Sequence, residues 1–214
     1  MYRPPAFRAA DDAAWVLVAA HPLAQLVVVD DDGAPVATPV PLLRRGDALV
    51  GHVARGNPVW RHPGAALAIF TGADAYVSPR WYTNKAVDGR VVPTWNYSTV
   101  HIAGTLRVHD DAAWVLDVVT DLTDVMEAEP MVGERMEGEP WAVTDAPADH
   151  IAGLLRGIVG VEIVDLQVAG KAKLSQNRTA EDRRRIAEGL DELGPAERAV
   201  SGAMRAVSVQ DSST

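Results

Sequence analysis

Three segments of this sequence concentrate groups able to bind or react, at 51–61, 92–104 and 170–178. In the first, Gly51-His52-Val53-Ala54-Arg55-Gly56-Asn57-Pro58-Val59-Trp60-Arg61, an imidazole precedes a turn capped by Asn57 with Pro58 at its first position. Free N–H groups at such a turn, with Arg55 and Arg61 beside them, suit a phosphate. An ordinary capped turn with solvated arginines accounts for the same residues. In the third, Lys173, Ser175, Gln176, Asn177 and Arg178 form a polar run broken only by Leu174. It offers donors to a phosphate or to a ring edge carrying carbonyls. A strand-to-helix connection that satisfies its own backbone is the plainer reading.

The second segment, Val92-Pro93-Thr94-Trp95-Asn96-Tyr97-Ser98-Thr99-Val100-His101-Ile102-Ala103-Gly104, reads as a strand with two chemically different faces. Alternation places Trp95, Tyr97, Thr99 and His101 on one face and Asn96, Val100 and Ile102 on the other. The second face turns apolar and continues through Leu106 and Val108, as a barrel interior requires. Two flat rings, a hydroxyl and an imidazole on the first face suit a planar ligand or a subunit contact.

Other chemistries lack their signatures. The six histidines show neither metalloprotease helix spacing nor a zinc pattern, so no metal site is expected. Cysteine is absent, which removes disulfides, thiolate ligands and thiol nucleophiles. There is no Gly-x-Ser-x-Gly, no dinucleotide-binding Gly-x-Gly-x-x-Gly after a strand, and no phosphate-loop motif. The glutamates of 127–140 lack calcium-loop spacing and read as a solvated, mobile loop.

The elements that must carry these residues can be read in outline. Asp11 and Asp12 open a first helix, and the similar string at 110–116 opens another. Residues 23–53 form a meander, turning at Asp30-Asp31-Asp32-Gly33 and at Arg45-Gly46-Asp47. Its return strand, 35–43, carries Pro39 and Pro41 and so belongs at an edge or a bulge. Two further strands are expected at 65–71 and 74–78. Amphipathic spacing gives a helix over 111–128, with Val115, Val118, Val119, Leu122, Val125 and Met126 on one side. A helix at 148–158, a strand or strand pair at 160–175, and helices at 179–190 and 195–207 complete the reading. Residues 208–214 are expected to be disordered.

Antiparallel strands followed by helices indicate an α+β, mainly β class. The 214 residues suffice for one substantial domain with a helical extension. A net charge of -9 sets the chain as a whole against nucleic acid and anionic membranes. No apolar run could span a bilayer and no signal peptide is present, so a cytoplasmic location is the expectation.

Taken together, the motifs resemble the PaiB family, labelled FMN-binding negative transcriptional regulators. The matching strings are Met1-Tyr2-Arg3-Pro4, Gly51-His52 with Asn57-Pro58-x-Trp60-Arg61, and Tyr76-Val77-Ser78-Pro79-x-Trp81-Tyr82. They continue in order with Val92-Pro93-Thr94-Trp95-Asn96-Tyr97, Val100-His101, Pro140-Trp141, Ile158-Val159-Gly160 and Lys173-Leu174-Ser175-Gln176-Asn177-Arg178. The resemblance implies a split antiparallel β-barrel of the flavin-reductase-like and pyridoxamine-oxidase-like kind over 1–178. A C-terminal helical extension would occupy 179–207. It also implies a homodimer with FMN in the groove between subunits. Carried over residue by residue, it places Thr38, His52, Asn57, Trp60, Trp95, Asn96, His101, Lys173, Gln176, Asn177 and Arg178 near the cofactor. This sequence departs from the family pattern at Pro39, which stands where an imidazole is expected and brings neither a side-chain donor nor an N–H. A flavin-dependent redox protein or flavin-responsive repressor is the function implied. Some relatives resemble haem-dependent N–N bond-forming enzymes, and haem b with His52 as axial ligand is the alternative. Direct DNA binding is not expected. Arg178, Arg183, Arg184 and Arg185 are offset by Glu181, Asp182, Glu188, Asp191 and Glu192, without helix-turn-helix spacing.

Overall fold

A computed structural model describes residues 1–128 and 138–211. The chain runs α1 (Asp11–Ala20), β1 (Leu23–Val29), β2 (Pro35–Pro41), β3 (Leu43–Arg45), β4 (Ala48–Ala54), β5 (Gly64–Val77) and β6 (Thr94–His109). There follow α2 (Ala112–Ala128), α3 (Ala148–Leu155), β7 (Ile158–Lys173), α4 (Ala180–Asp191) and α5 (Pro195–Asp211). The strands form one seven-stranded sheet in the order β2-β1-β5-β6-β7-β4-β3. β1 pairs antiparallel with β2 and with β5, and β4 with β3 and with β7. This is the α+β, mainly β antiparallel class read from the sequence.

Two compact units share these strands. One comprises Met1–Leu17, Thr71–Val100 and Ala169–Thr214; the other comprises Val18–Phe70 and His101–Val168. In the second unit the sheet curls until its two ends approach each other. β2 begins the strand order and β3 ends it, yet only Leu42 separates them in the chain. The closure is tight at Gly51, where an added Cβ would lie 2.5 Å from the Pro41 carbonyl oxygen. Inside are Leu26, Val28, Leu42, Leu49, Ile102, Leu106 and Ile163. The prolines of β2 fit its edge position: Pro39 faces Gln25 and Pro41 faces Leu23, and neither can donate to a ladder. α2 covers β4, packing Val118 and Leu122 on Val50 with Leu43 and Trp114 beside them. Val125, read as part of that face, is 42% exposed, so the apolar stripe ends near Leu122.

In the first unit, α4 and α5 share a core with strand ends. Ala75, Val77, Tyr82 and Leu174 pack with Ile186, Leu190, Val200 and Met204. Thr179 caps α4 by accepting from the Asp182 N–H at 3.1 Å.

Several boundaries differ from the sequence reading. The strands expected at 65–71 and 74–78 are one strand, β5. Its buried positions are Ala66, Ala68 and Phe70, then Ala75 and Val77, so the inward face slips by one residue at Gly72-Ala73. That phase slip is what reads as a break. β7 is likewise one strand, kinked at Asp165 with φ 56°. α3 stops at Leu155, and Ile158 already opens β7. α5 runs to Asp211 rather than ending at 207, so of the tail expected to be disordered only 212–214 falls outside the described residues. The acidic loop expected at 127–140 lies largely outside them too.

Candidate functional site

The end of β7 and the turn after it gather Lys171, Lys173 and Arg178 in the first unit. The backbone at Ser175 is left-handed, with φ 64°, a conformation unfavourable for a residue carrying a Cβ. Four hydrogen bonds hold it. The Ser175 hydroxyl donates to Asn96 Oδ1 at 3.0 Å, and Asn96 is fully buried. Gln176 Oε1 accepts from the Leu174 N–H at 2.8 Å, while its Nε2 donates to the Ala172 carbonyl at 2.6 Å. The Arg178 N–H closes the turn on the Ser175 carbonyl at 3.0 Å. Asn96 also donates to Met204 Sδ at 3.3 Å. Asn96 and Gln176 thus spend their polar groups shaping the turn, while Asn177 stands exposed.

What the turn presents is charge. Lys173 donates to Thr94 Oγ1 at 2.5 Å and to the Trp95 carbonyl. Burial lowers its pKa, and the neighbouring cations Lys171 and Arg178 lower it further. The Arg178 guanidinium lies 4.6 Å from the Tyr82 ring centroid. Among the described residues no carboxylate forms an ion pair with Lys171, Lys173 or Arg178. Three neighbouring cations, with Asp182 within electrostatic reach of Arg178 but no direct ion pair to any of them, make this turn a candidate anion site.

The ring-bearing face of β6 adjoins them. Trp95 is 53% exposed and meets Tyr76 edge to face, at 6.2 Å between centroids. Tyr97 is half-buried, with the Lys171 ammonium 5.3 Å from its centroid and 5.9 Å from that of Tyr2. On the opposite face Asn96, Val100, Ile102 and Leu106 are buried, as the alternation requires. Thr99, on the ring-bearing side, is also buried. Lys171, Tyr2 and Tyr82 were not singled out from the sequence, and Ser175 was read as a donor of the polar run but not placed near the cofactor. Lys171 shares the alternating face of Lys173 and could have been; the roles of the others depend on tertiary contacts.

Thr38, His52, Asn57, Trp60 and His101 belong to the second unit. Asn57 caps the short helical turn Pro58–Arg61 as expected, accepting from the Val59 N–H at 3.0 Å. Its Nδ2 donates to Thr38 Oγ1 at 2.8 Å, tying the turn to β2. Trp60 Nε1 donates to the Arg55 carbonyl at 3.0 Å, with the Arg61 guanidinium 5.4 Å from the Trp60 ring. Arg55 is spent on Asp110 and on the carbonyls of Arg156 and Ile158. That leaves Arg61 as the exposed cation of the segment. His52, half-buried on β4, has no hydrogen-bond partner at Nδ1 among the described residues, and burial lowers its pKa. Burial thus disfavours its protonated form and leaves one ring nitrogen unused. Burial lowers the pKa of His101 in the same way. No group of three or more His, Asp or Glu is placed to hold a metal among the described residues.

Comparison with known proteins fits this architecture. A family model described as "Putative FMN-binding domain" matches residues 1–164. "Protease synthase and sporulation protein PAI 2" of Bacillus subtilis is 31% identical over 173 residues, covering 77% of this chain and 76% of that protein. An uncharacterized protein of Aspergillus fumigatus is 34% identical over 175 residues, covering 68% of this chain and 67% of its own length. Among solved structures, the flavocytochrome Anf3 from Azotobacter vinelandii is similar with a TM-score of 0.55 at 16% identity, over 83% of this chain and 74% of that one. The FAD and heme binding protein from Mycobacterium smegmatis gives 0.53 at 24% identity, over 84% and 78%. These structures share the fold, a split β-barrel with peripheral helices. The match over residues 1–164 and the Bacillus subtilis relative together show that the chain belongs to the PaiB family of FMN-binding-domain proteins.

Proposed function

We propose that this protein binds FMN and works as a dimeric flavin-dependent redox protein. The observation that carries the reading is the trio Lys171, Lys173 and Arg178, unpaired with carboxylates and set beside the exposed rings of β6. Cations of this kind bind a phosphate monoester, and flat rings beside them bind a planar heterocycle. The donor set therefore fits a flavin mononucleotide. Family membership supports the same assignment, and the FAD and heme named for one solved relative support a flavin while fitting the haem reading as well.

In this reading Lys173 and Arg178 hold the phosphate, while Trp95 and Tyr97 flank the ring system. Ser175, Asn96 and Gln176 fix the turn that aims the two cations. The flavin, when bound, supplies hydride and electron transfer. Pro39 adds no donor on β2, so binding rests on the cations and rings. The exposed Trp95, Tyr76 and Val92, at 53%, 47% and 66%, support a homodimer that covers this face. Any control of transcription would then run through the flavin state and a partner protein. Direct DNA contact by α4 and α5 is not part of the proposal, because Arg184 is paired with Glu181 and Glu188, and Arg205 with Asp191.

One observation favours a second reading. His52 offers the neutral, half-buried imidazole that a haem iron takes as axial ligand. Absorbance spectra of the purified protein mixed with FMN or with haemin separate the two. A perturbed flavin spectrum without a Soret shift supports the proposal; a Soret band lost on His52→Ala, with no flavin change, replaces it with the haem reading.

A further inference from the structure

Residues 76–85 carry one of the chain's densest motifs, and the flavin reading leaves most of it without a task. With the junction of α4 and α5, this stretch encloses a groove of about 780 Å³ within the first unit. That is the size of a small-molecule site. Its floor is built around a glycine. An added Cβ at Gly189, in the interior of α4, would lie 2.2 Å from Trp81 Nε1 and 2.3 Å from Cε2. The indole thus rests directly on the helix backbone. Glycine inside a helix lowers stability, and here it gives Trp81 its seat.

The walls are oppositely charged. Arg80 and Lys85 line the groove from the 76–85 stretch, and Glu192 and Glu197 line it from the α4–α5 junction. No ion pair joins any of the four to another residue among those described. An anion entering the groove would meet the glutamates, and a cation would meet Arg80 and Lys85. A molecule with both charges satisfies both walls, and the rings of Trp81 and Tyr76 favour an apolar or aromatic body between them. Tyr76 also touches Trp95 edge to face, so the groove borders the ring face assigned to the flavin.

We infer that this groove binds a small zwitterion with an aromatic or apolar body, such as an aromatic α-amino acid. Only its place beside a cofactor rests on the flavin reading; the binding itself stands on the groove.

Calorimetric titration of the full chain, with and without FMN, tests it with L-phenylalanine as the probe. N-acetyl-L-phenylalanine and L-phenylalanine amide each lack one of the two charges. L-phenylalanine is expected to bind saturably, with each blocked form about tenfold weaker. Gly189→Ala, which drives the indole off its seat, is expected to abolish binding. The double variant Glu192→Gln/Glu197→Gln changes only surface groups. It should remove the preference for L-phenylalanine over N-acetyl-L-phenylalanine. No saturable binding of L-phenylalanine, or equal binding of all three probes, overturns the inference. If the protein takes up no FMN yet binds L-phenylalanine with this pattern, the groove stands and the flavin reading alone fails.

Discussion

Single residues set the chemistry here, and two of them give separate tests. His52 is held neutral by burial, with its pKa below the ordinary 6.5. The unfolded chain therefore takes up this proton at higher pH than the folded chain. The stability His52 contributes is complete above about pH 6.5 and is lost as pH falls through the lowered value. Thermal melts should show stability declining as pH falls below about 6.5, with a shallower decline in His52→Gln. Equal slopes would contradict the assignment. His101 acts with the same sign, so some slope should remain. Ser175 tests the turn. Ser175→Ala leaves Asn96 Oδ1 buried without its donor and keeps a Cβ at φ 64°, and should cost about 1–3 kcal/mol in urea unfolding. Ser175→Gly should cost less, because glycine accepts that φ. The sequence showed a polar run at 173–178 but not which members shape the turn and which point away from it. Ser175 and Asn96, 79 residues apart, become partners only in the fold.

At the scale of elements, caps and turns were legible because they are local. Asn57 caps its turn and Thr179 caps α4 through bonds to residues two or three positions away. Asn57→Ala should lower stability by about 1–2 kcal/mol, since it removes that cap and the tie to Thr38 on β2. Chemical denaturation of the variant measures it, and no change would mean the turn holds β2 by other contacts. What the sequence concealed was long-range. The phase slip in β5 looks like a break because alternation is the only local sign of a strand. The closure of β2 and β3 around Leu42 depends on strand order, which no local pattern specifies. The prolines of β2 did point to its edge position, since a missing N–H constrains pairing wherever the partner lies.

For the whole molecule, a net charge of -9 makes the cations at Lys171, Lys173 and Arg178 a local exception: the chain as a whole repels an anion, and these residues attract one. Fold class and family were legible because ordered motifs run through most of the chain; a dimer is an expectation that rests on the resemblance. If the exposed rings are covered by a second copy, Trp95→Glu should shift sedimentation from dimer toward monomer while far-UV circular dichroism stays unchanged. A wild-type monomer at micromolar concentration would contradict the dimer. The most direct test of the central claim is an equilibrium FMN titration, followed by flavin absorbance and fluorescence, on wild-type protein and on Lys173→Met/Arg178→Gln. The account predicts saturable FMN binding at one flavin per subunit, weakened about a hundredfold in the double variant. No saturable binding by the wild type, or equal affinity in both proteins, would contradict it.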